Sequence, residues 1–327
     1  MHSTTARRLP TLFSIAVLSA VMAMPAAQAQ NFPTRTATLV VPFSPGGATD
    51  VLARMLAPAM EKNLGQSVIV ENKPGADSRI GARYVASAAP DGYNVVILSG
   101  SSVSWPFFIK DPGVDMIKDF APIGVIVDGA LIFVASNKSP FSSIKEMVEY
   151  AKKNPGKVTW GLPSRSGEPA LYGYLLRAKA GIQMLDVVYK GSGPLTTAVI
   201  ASEVDVGHFA PGRAVQMEKG GEGKMLAASG DKRDPLMPNV PTMKELGYDG
   251  MVNYNFGMLA PAGTPAAVVN RWNAAMQAGL KDPIVVAGNA KFGFNAIGSS
   301  PAQHAASLKS GYEAWKLATE TAHVQPE

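Results

Sequence analysis

The chain contains no cysteine. That excludes disulfides, thiolate metal sites and cysteine nucleophiles, and with them a lipid-anchored lipoprotein, whose acyl group needs a cysteine. Histidine is almost as scarce: of four in 327 residues, only His208, His304 and His323 lie beyond the N-terminal leader. No Gly-x-Ser-x-Gly elbow, His-Glu-x-x-His, Gly-x-Gly-x-x-Gly or Walker loop occurs. The inventory therefore speaks against an enzyme and implies neither cofactor nor metal. Charged residues make up only 17% of the chain and form no long block of one sign. That is no nucleic-acid footprint. Outside the leader, no apolar run reaches the roughly 18 residues of a membrane span.

What is present begins with that leader. Arg7 and Arg8 precede an apolar run of 13 residues, 12–24, and then Ala27-Gln28-Ala29, a small-x-small cleavage site. A signal peptide over residues 1–29 is expected, leaving 298 residues exported into the periplasm, enough for two lobes with separate cores. Removing Arg7 and Arg8 lowers the formal charge from +5 to +3, a mild excess that suits acidic solutes.

Beyond the leader, strand-like and helix-like stretches alternate. Residues 38–43, 67–71 and 93–98 are apolar and β-branched, while 51–64 and 80–88 carry helical periodicity. This βαβαβ pattern predicts a doubly wound α/β sheet whose ligand loops lie at the strand carboxyl ends. The pattern restarts near residue 131. Strands are predicted at 131–136, 157–161, 185–189, 204–209 and 224–229, with helices over 142–153, 168–180 and 194–202. A short helix after Pro241, a strand over 254–260 and helices over 265–280, 283–292 and 301–321 complete the chain. The tail has too few strands to stand alone. The expected division is 30–132 for a first lobe, 133–256 for a second, and 257–327 returning to the first, with two crossings forming a hinge and a cleft.

Four loops carry donor chemistry. Ser44-Pro-Gly-Gly-Ala-Thr-Asp50 joins a strand to a helix, and Gly46 and Gly47 let an anion approach the first-turn amides. Ser44 and Thr49 add hydroxyls; Asp50, which would repel an anion, suits a structural role. The stretch 161–169 places Ser164, Arg165, Ser166 and Gly167 before a helix, where Arg165 either grips a carboxylate or pairs with Glu168 at the surface. A third junction holds Lys190, Gly191, Ser192 and Gly193. The fourth brings Ser101 and other hydroxyls, then Trp105, Phe107 and Phe108, which either cover a ligand or join the core.

Several motifs, in consistent order over nearly all of the exported chain, resemble one family. They are Phe32-Pro-Thr-Arg35, Val41-Pro-Phe-Ser-Pro-Gly-Gly-Ala-Thr-Asp50, Val70-Glu-Asn-Lys-Pro-Gly75, Ala89-Pro-Asp-Gly-Tyr93, Tyr189-Lys-Gly-Ser-Gly193 and Leu259-Ala-Pro-Ala-Gly-Thr-Pro265. They are similar to those of the periplasmic Bug receptors of tripartite tricarboxylate transporters. The resemblance implies a two-lobed Venus-flytrap fold that captures an organic carboxylate and delivers it to a two-component membrane permease, without nucleic acid and as a monomer. It assigns ligand contacts to Ser44, Gly46, Gly47 and Thr49, to the 164–167 loop, and to Gly191, Ser192 and Gly193. Arg165 and Glu168 depart from the family's run of small residues, and His208, near Arg213, replaces a familiar phenylalanine–acid pair. With Phe43, Trp105 and Phe107 as possible walls, the added cationic groups suggest an aromatic dicarboxylate resembling terephthalate. An aliphatic carboxylate receptor, a sensor feeding a membrane kinase and an exported hydrolase using His208 stand as alternatives.

Overall fold

The computed structural model describes residues 32–189 and 191–321, with the isolated positions His2, Val324 and Pro326. The expected signal peptide, Lys190 and His323 lie outside the described residues.

The first unit runs β1 (Ala37–Val41), α1 (Ala48–Leu64), β2 (Val68–Asn72), α2 (Arg79–Ala86) and β3 (Asn94–Ser99). A 3-10 turn, Gly100–Ser104, leads into the one-turn helix α3 (Trp105–Phe108) and then β4 (Phe120–Gly129). The second unit comprises β5 (Ile132–Ala135), α4 (Ile144–Lys153), β6 (Val158–Leu162), α5 (Glu168–Ala180), β7 (Met184–Val188), α6 (Ser192–Ala201), β8 (Val206–Phe209), α7 (Pro211–Lys219) and β9 (Lys224–Ala228). The return leg is β10 (Tyr254–Pro261), α8 (Ala266–Gly279), α9 (Pro283–Phe292), β11 (Asn295–Ala296) and α10 (Pro301–Thr321).

These strands form two sheets, ordered β11-β4-β10-β3-β1-β2 and β7-β6-β8-β5-β9. The chain leaves the first sheet after Gly129, enters the second at Ile132, and re-enters the first at Tyr254. The parallel winding expected from the sequence holds for β1 with β2 and β3, and for β6 with β7 and β8. The strands that link the sheets run the other way. β10 is antiparallel to both β3 and β4, and β5 to both β8 and β9, so each sheet is mixed.

Both faces of each sheet are covered, which is why the strands read as nearly continuous apolar runs. Along β1, Leu39 and Val41 face one core with Leu52, Leu56 and Met60 of α1, whereas Val40 faces the opposite core with Leu308 and Trp315 of α10. Along β5, Phe133 and Ala135 pack with Met147, Trp160 and Leu176, while Ile132 and Val134 meet Leu195, Val199 and Met217. This is the two-residue period of a strand.

Two elements escape the sequence pattern. β4, the longest strand, contains Pro122 and Gly124 and pairs with β10 through register shifts. At Gly124 a Cβ would lie 2.5 Å from the Met276 Cε and 2.6 Å from the Ser299 carbonyl oxygen, so the glycine admits α8 against the sheet. The helix expected after Pro241 is replaced by turns, and α7 occurs where only a loop was expected.

Candidate ligand site

Three helices begin at strand carboxyl ends with a glycine as N-cap and no side-chain cap. α1 follows Gly47, α5 follows Gly167 and α6 follows Gly191. Elsewhere, Ser143 caps α4 and Asp282 caps α9 through their side chains. Gly167 (φ 102°, ψ 170°) and Gly191 (φ 99°, ψ 177°) share a conformation essentially confined to glycine. The first-turn amides of an α-helix have no intrahelical acceptor, and leaving them uncapped keeps them available for an anion.

The first loop is held open by its own acid. Asp50, buried in the first turn of α1, accepts from the Gly46 amide at 2.9 Å, from Arg54 Nε at 3.0 Å and from Asn72 Nδ2 at 2.8 Å. Asn72 Nδ2 also donates to the Phe43 carbonyl at 3.0 Å, fixing the other side of the turn. Burial pushes the Asp50 carboxyl up, but the hydrogen bonds from Arg54, Gly46 and Asn72 outweigh it and hold it below the usual range. Gly46 therefore gives its amide to Asp50, whereas Ser44, Gly47 and Ala48 are exposed and Thr49 is buried beneath them.

In the second lobe the Gly191 amide donates to the Pro163 carbonyl at 2.9 Å, which joins the loops that open α5 and α6. Ser164 donates to the Ser166 carbonyl. Ser192 and Gly193 are exposed, Gly167 is half-buried and Ser166 is buried.

The lobes meet through side chains of these same loops. Ser166 Oγ donates to Asp77 in the loop after β2. Ser99 Oγ, at the end of β3, donates to Glu168 Oε1 at 3.3 Å and lies 2.9 Å from Ser101 Oγ. Phe108 stacks on Tyr174 at 6.1 Å. On the other side, a Cβ at Gly212 of α7 would lie 2.7 Å from the Lys291 carbonyl oxygen of α9.

Three expectations need correction. Trp105 does not cover a ligand: it is 2% exposed, in the core with Val103, Leu259 and Trp315. Phe107 likewise packs on Tyr312, at 5.0 Å. His208 is buried among Phe133, Trp160 and Tyr172, with ring centroids 4.8, 4.5 and 6.1 Å away. Burial lowers its pKa to about 3, against a small opposing contribution from the Gly161 backbone, so it is a neutral imidazole at physiological pH. It supplies no cation. Arg213 is half-buried with Glu222 3.7 Å from its guanidinium, and Arg165 is exposed.

The sequence reading missed Glu168 as an interior group, together with Ser99 and Asp77. The available signal was position: Ser99 ends a strand, Asp77 lies in a strand-end loop, and Glu168 opens a helix beside the glycines. Among the described residues no cluster of acids and histidines could hold a metal ion, and no helix is long and apolar enough to cross a membrane.

The fold matches that of known proteins. Residues 52–317 match the family described as "Tripartite tricarboxylate transporter family receptor". A Cupriavidus necator protein, "UPF0065 protein in gbd 5'region", is 36% identical over 271 residues, covering 83% of this chain and 82% of that protein. The solved structure of the periplasmic binding protein BugD is 34% identical with a TM-score of 0.78, covering 90% of this chain and all of that one. That of "R. palustris Rpa4515 with adipate" is 28% identical with a TM-score of 0.82, at the same coverages.

Proposed function

The chain belongs to the tripartite tricarboxylate transporter receptor family, and on that premise we propose that it captures an organic carboxylate between its two sheets for delivery to a two-component permease. Family membership makes it a solute-binding receptor, not an enzyme. The observation that carries the reading is the trio of glycine-started helices, α1, α5 and α6, whose N-cap glycines bring no capping side chain, although at α5 the Glu168 carboxyl engages its own amide. Helix N-termini suit a guest anion, and the adipate held by Rpa4515 is a guest of this chemistry.

In this proposal Gly47 and Ser44 from the first lobe and Gly167, Gly191, Ser192 and Gly193 from the second contact the carboxylate, and Asp50 positions Gly46 and its loop. The protein is exported by its leader and acts as a monomer in the periplasm, with lobes divided at 30–132, 133–256 and 257–327. Micromolar affinity corresponds to about −8 kcal/mol. Charge-assisted hydrogen bonds contribute about 1.5–3 kcal/mol each, so four or five donors reach that range after ordering costs.

The aromatic dicarboxylate suggested by the sequence is weakened, because its argument counted His208 as a cation and Trp105 as a wall. Terephthalate remains a useful probe. Calorimetric titration with succinate, adipate, citrate and terephthalate tests the receptor reading: saturable binding of one or more supports it, and none binding overturns it. Uptake of the bound acid, lost in a deletion strain, separates delivery to a permease from signalling.

A further inference from the structure

Glu168 is an unusual tenant for a carboxylate receptor. It is the first residue of α5, 9% exposed, and its carboxyl is tied to the opposite lobe by the Ser99 hydroxyl, which Ser101 Oγ in turn contacts. Its charge reaches the hydroxyls of Tyr172 and Tyr254. Tyr172 donates to the Val252 carbonyl, but the Tyr254 hydroxyl, in a side chain only 7% exposed, has no hydrogen-bond partner among the described residues. The lobe junction thus holds a buried carboxyl held by a serine of the opposite lobe. A buried polar group without a partner costs free energy, and a buried carboxylate costs more. Burial accordingly raises the Glu168 carboxyl above its ordinary range, with its own amide and the two serines only partly opposing. A second anion brought here would meet like charge in a low-dielectric setting. A donor would satisfy Glu168.

We propose that Glu168, with Ser99 and Ser101, forms a subsite for a hydrogen-bond-donating end of the ligand. An ammonium, amide or hydroxyl fits it, and a second carboxylate is rejected. This rests on the receptor reading above, with the ligand's carboxylate at the starts of α1 and α6 and its far end at Glu168 of α5. The ligand class is a monocarboxylate carrying an N–H or O–H donor at its far end. The subsite lies between the lobes, so the donor end is read only as they close around the guest.

Matched pairs of acids that differ at one end test this, by calorimetry at pH 7.5 and fixed ionic strength. Suitable pairs are succinate with succinamate, adipate with 6-aminohexanoate, and terephthalate with 4-carbamoylbenzoate. The expected result is at least tenfold tighter binding of the donor-ended acid in one or more pairs, with Glu168→Gln reducing that ratio severalfold. Ser101→Ala, which leaves the carboxyl in place, should reduce it less, and circular dichroism verifies that both variants fold. Acids that bind with no donor preference in any pair, or a preference undiminished in Glu168→Gln, would overturn this subsite while leaving the receptor intact. If no acid of either kind binds, the receptor reading falls and takes the subsite with it.

Discussion

Ser166 of the second lobe donates its hydroxyl to the carboxylate of Asp77 in the first, so the two halves are latched directly beside the ligand loops. Asp77 is carried on a turn in which Ala76, Asp77 and Ser78 all have positive φ, at 47°, 54° and 71°. Each such residue costs roughly 1–2 kcal/mol relative to right-handed backbone. The latch is therefore presented by a strained segment that its surroundings over-determine.

Replacing Ser166 by alanine should weaken ligand binding about three- to tenfold by raising the population of the open form. The change should appear in the off-rate and in a larger radius of gyration by small-angle scattering. Ala76→Gly acts oppositely on strain: it should raise the melting temperature by a degree or more while leaving affinity within about twofold. An unchanged affinity in Ser166→Ala would show that the contact does not govern closure.

Asp50 illustrates an acid that supports an anion site by facing away from it. Its carboxylate holds Gly46, Arg54 and Asn72. Asp50→Ala leaves those donors unpaired and should cost about 1–3 kcal/mol of stability, with ligand affinity falling tenfold or more as the loop loses its shape. Because the folded carboxyl is held below its ordinary 3.8, its contribution is present above that pH and lost as pH falls through the depressed value. Urea denaturation of the variant and the parent at pH 7 measures the difference.

At Gly167 an added Cβ would meet nothing closer than 3.8 Å, so alanine there changes backbone preference and hardly touches packing. At φ 102° the substitution should cost on the order of 1–3 kcal/mol or shift the start of α5. Affinity for a carboxylate should fall more than tenfold. Gly191→Ala, with open space around it and φ 99°, should do the same at α6. Unaltered binding in both variants would remove these helix starts from the ligand seat.

Much of this arrangement is legible in the sequence, and the exceptions share a cause. The β1–β3 unit and helices α5, α9 and α10 announce themselves through apolar periodicity bounded by Gly or Pro. β4 was hidden because Pro122 and Gly124 interrupt a strand whose irregularities are absorbed by β10 and α8. α7 was hidden because Gly212 follows Pro211, a pairing that suggests a turn until α9 is seen to require the close approach. At the site, Gly47, Gly191 and the loops around them were readable as local strand–turn–helix chemistry. The burial of Glu168 is not, because Ser99 reaches it from 69 residues away, between lobes that no local pattern brings together. His208 was misjudged for the same reason, since only the assembled β5, β6 and α5 show that its surroundings are aromatic.

Two buried histidines should steepen the acid limb of the protein's stability. His208 and His304, with ordinary values near 6.5, are lowered by burial to about 3 and about 4. The unfolded chain then binds more protons than the folded one below pH 6.5, so stability is full above that pH and declines as pH falls towards 4. With both groups titrating, the slope approaches about 2.7 kcal/mol per pH unit from these two residues alone. Glu168 works in the opposite sense. Its raised carboxyl makes the folded state hold a proton more firmly, so its penalty grows as pH rises from 4.5 through the elevated value. His208→Phe preserves an aromatic ring between Phe133 and Trp160 and should flatten the acid limb of a plot of melting temperature against pH. Glu168→Gln should instead raise the melting temperature of the ligand-free protein at pH 7.5 and leave that limb unchanged. An acid limb equally steep in His208→Phe and in the parent would mean that other groups drive the transition.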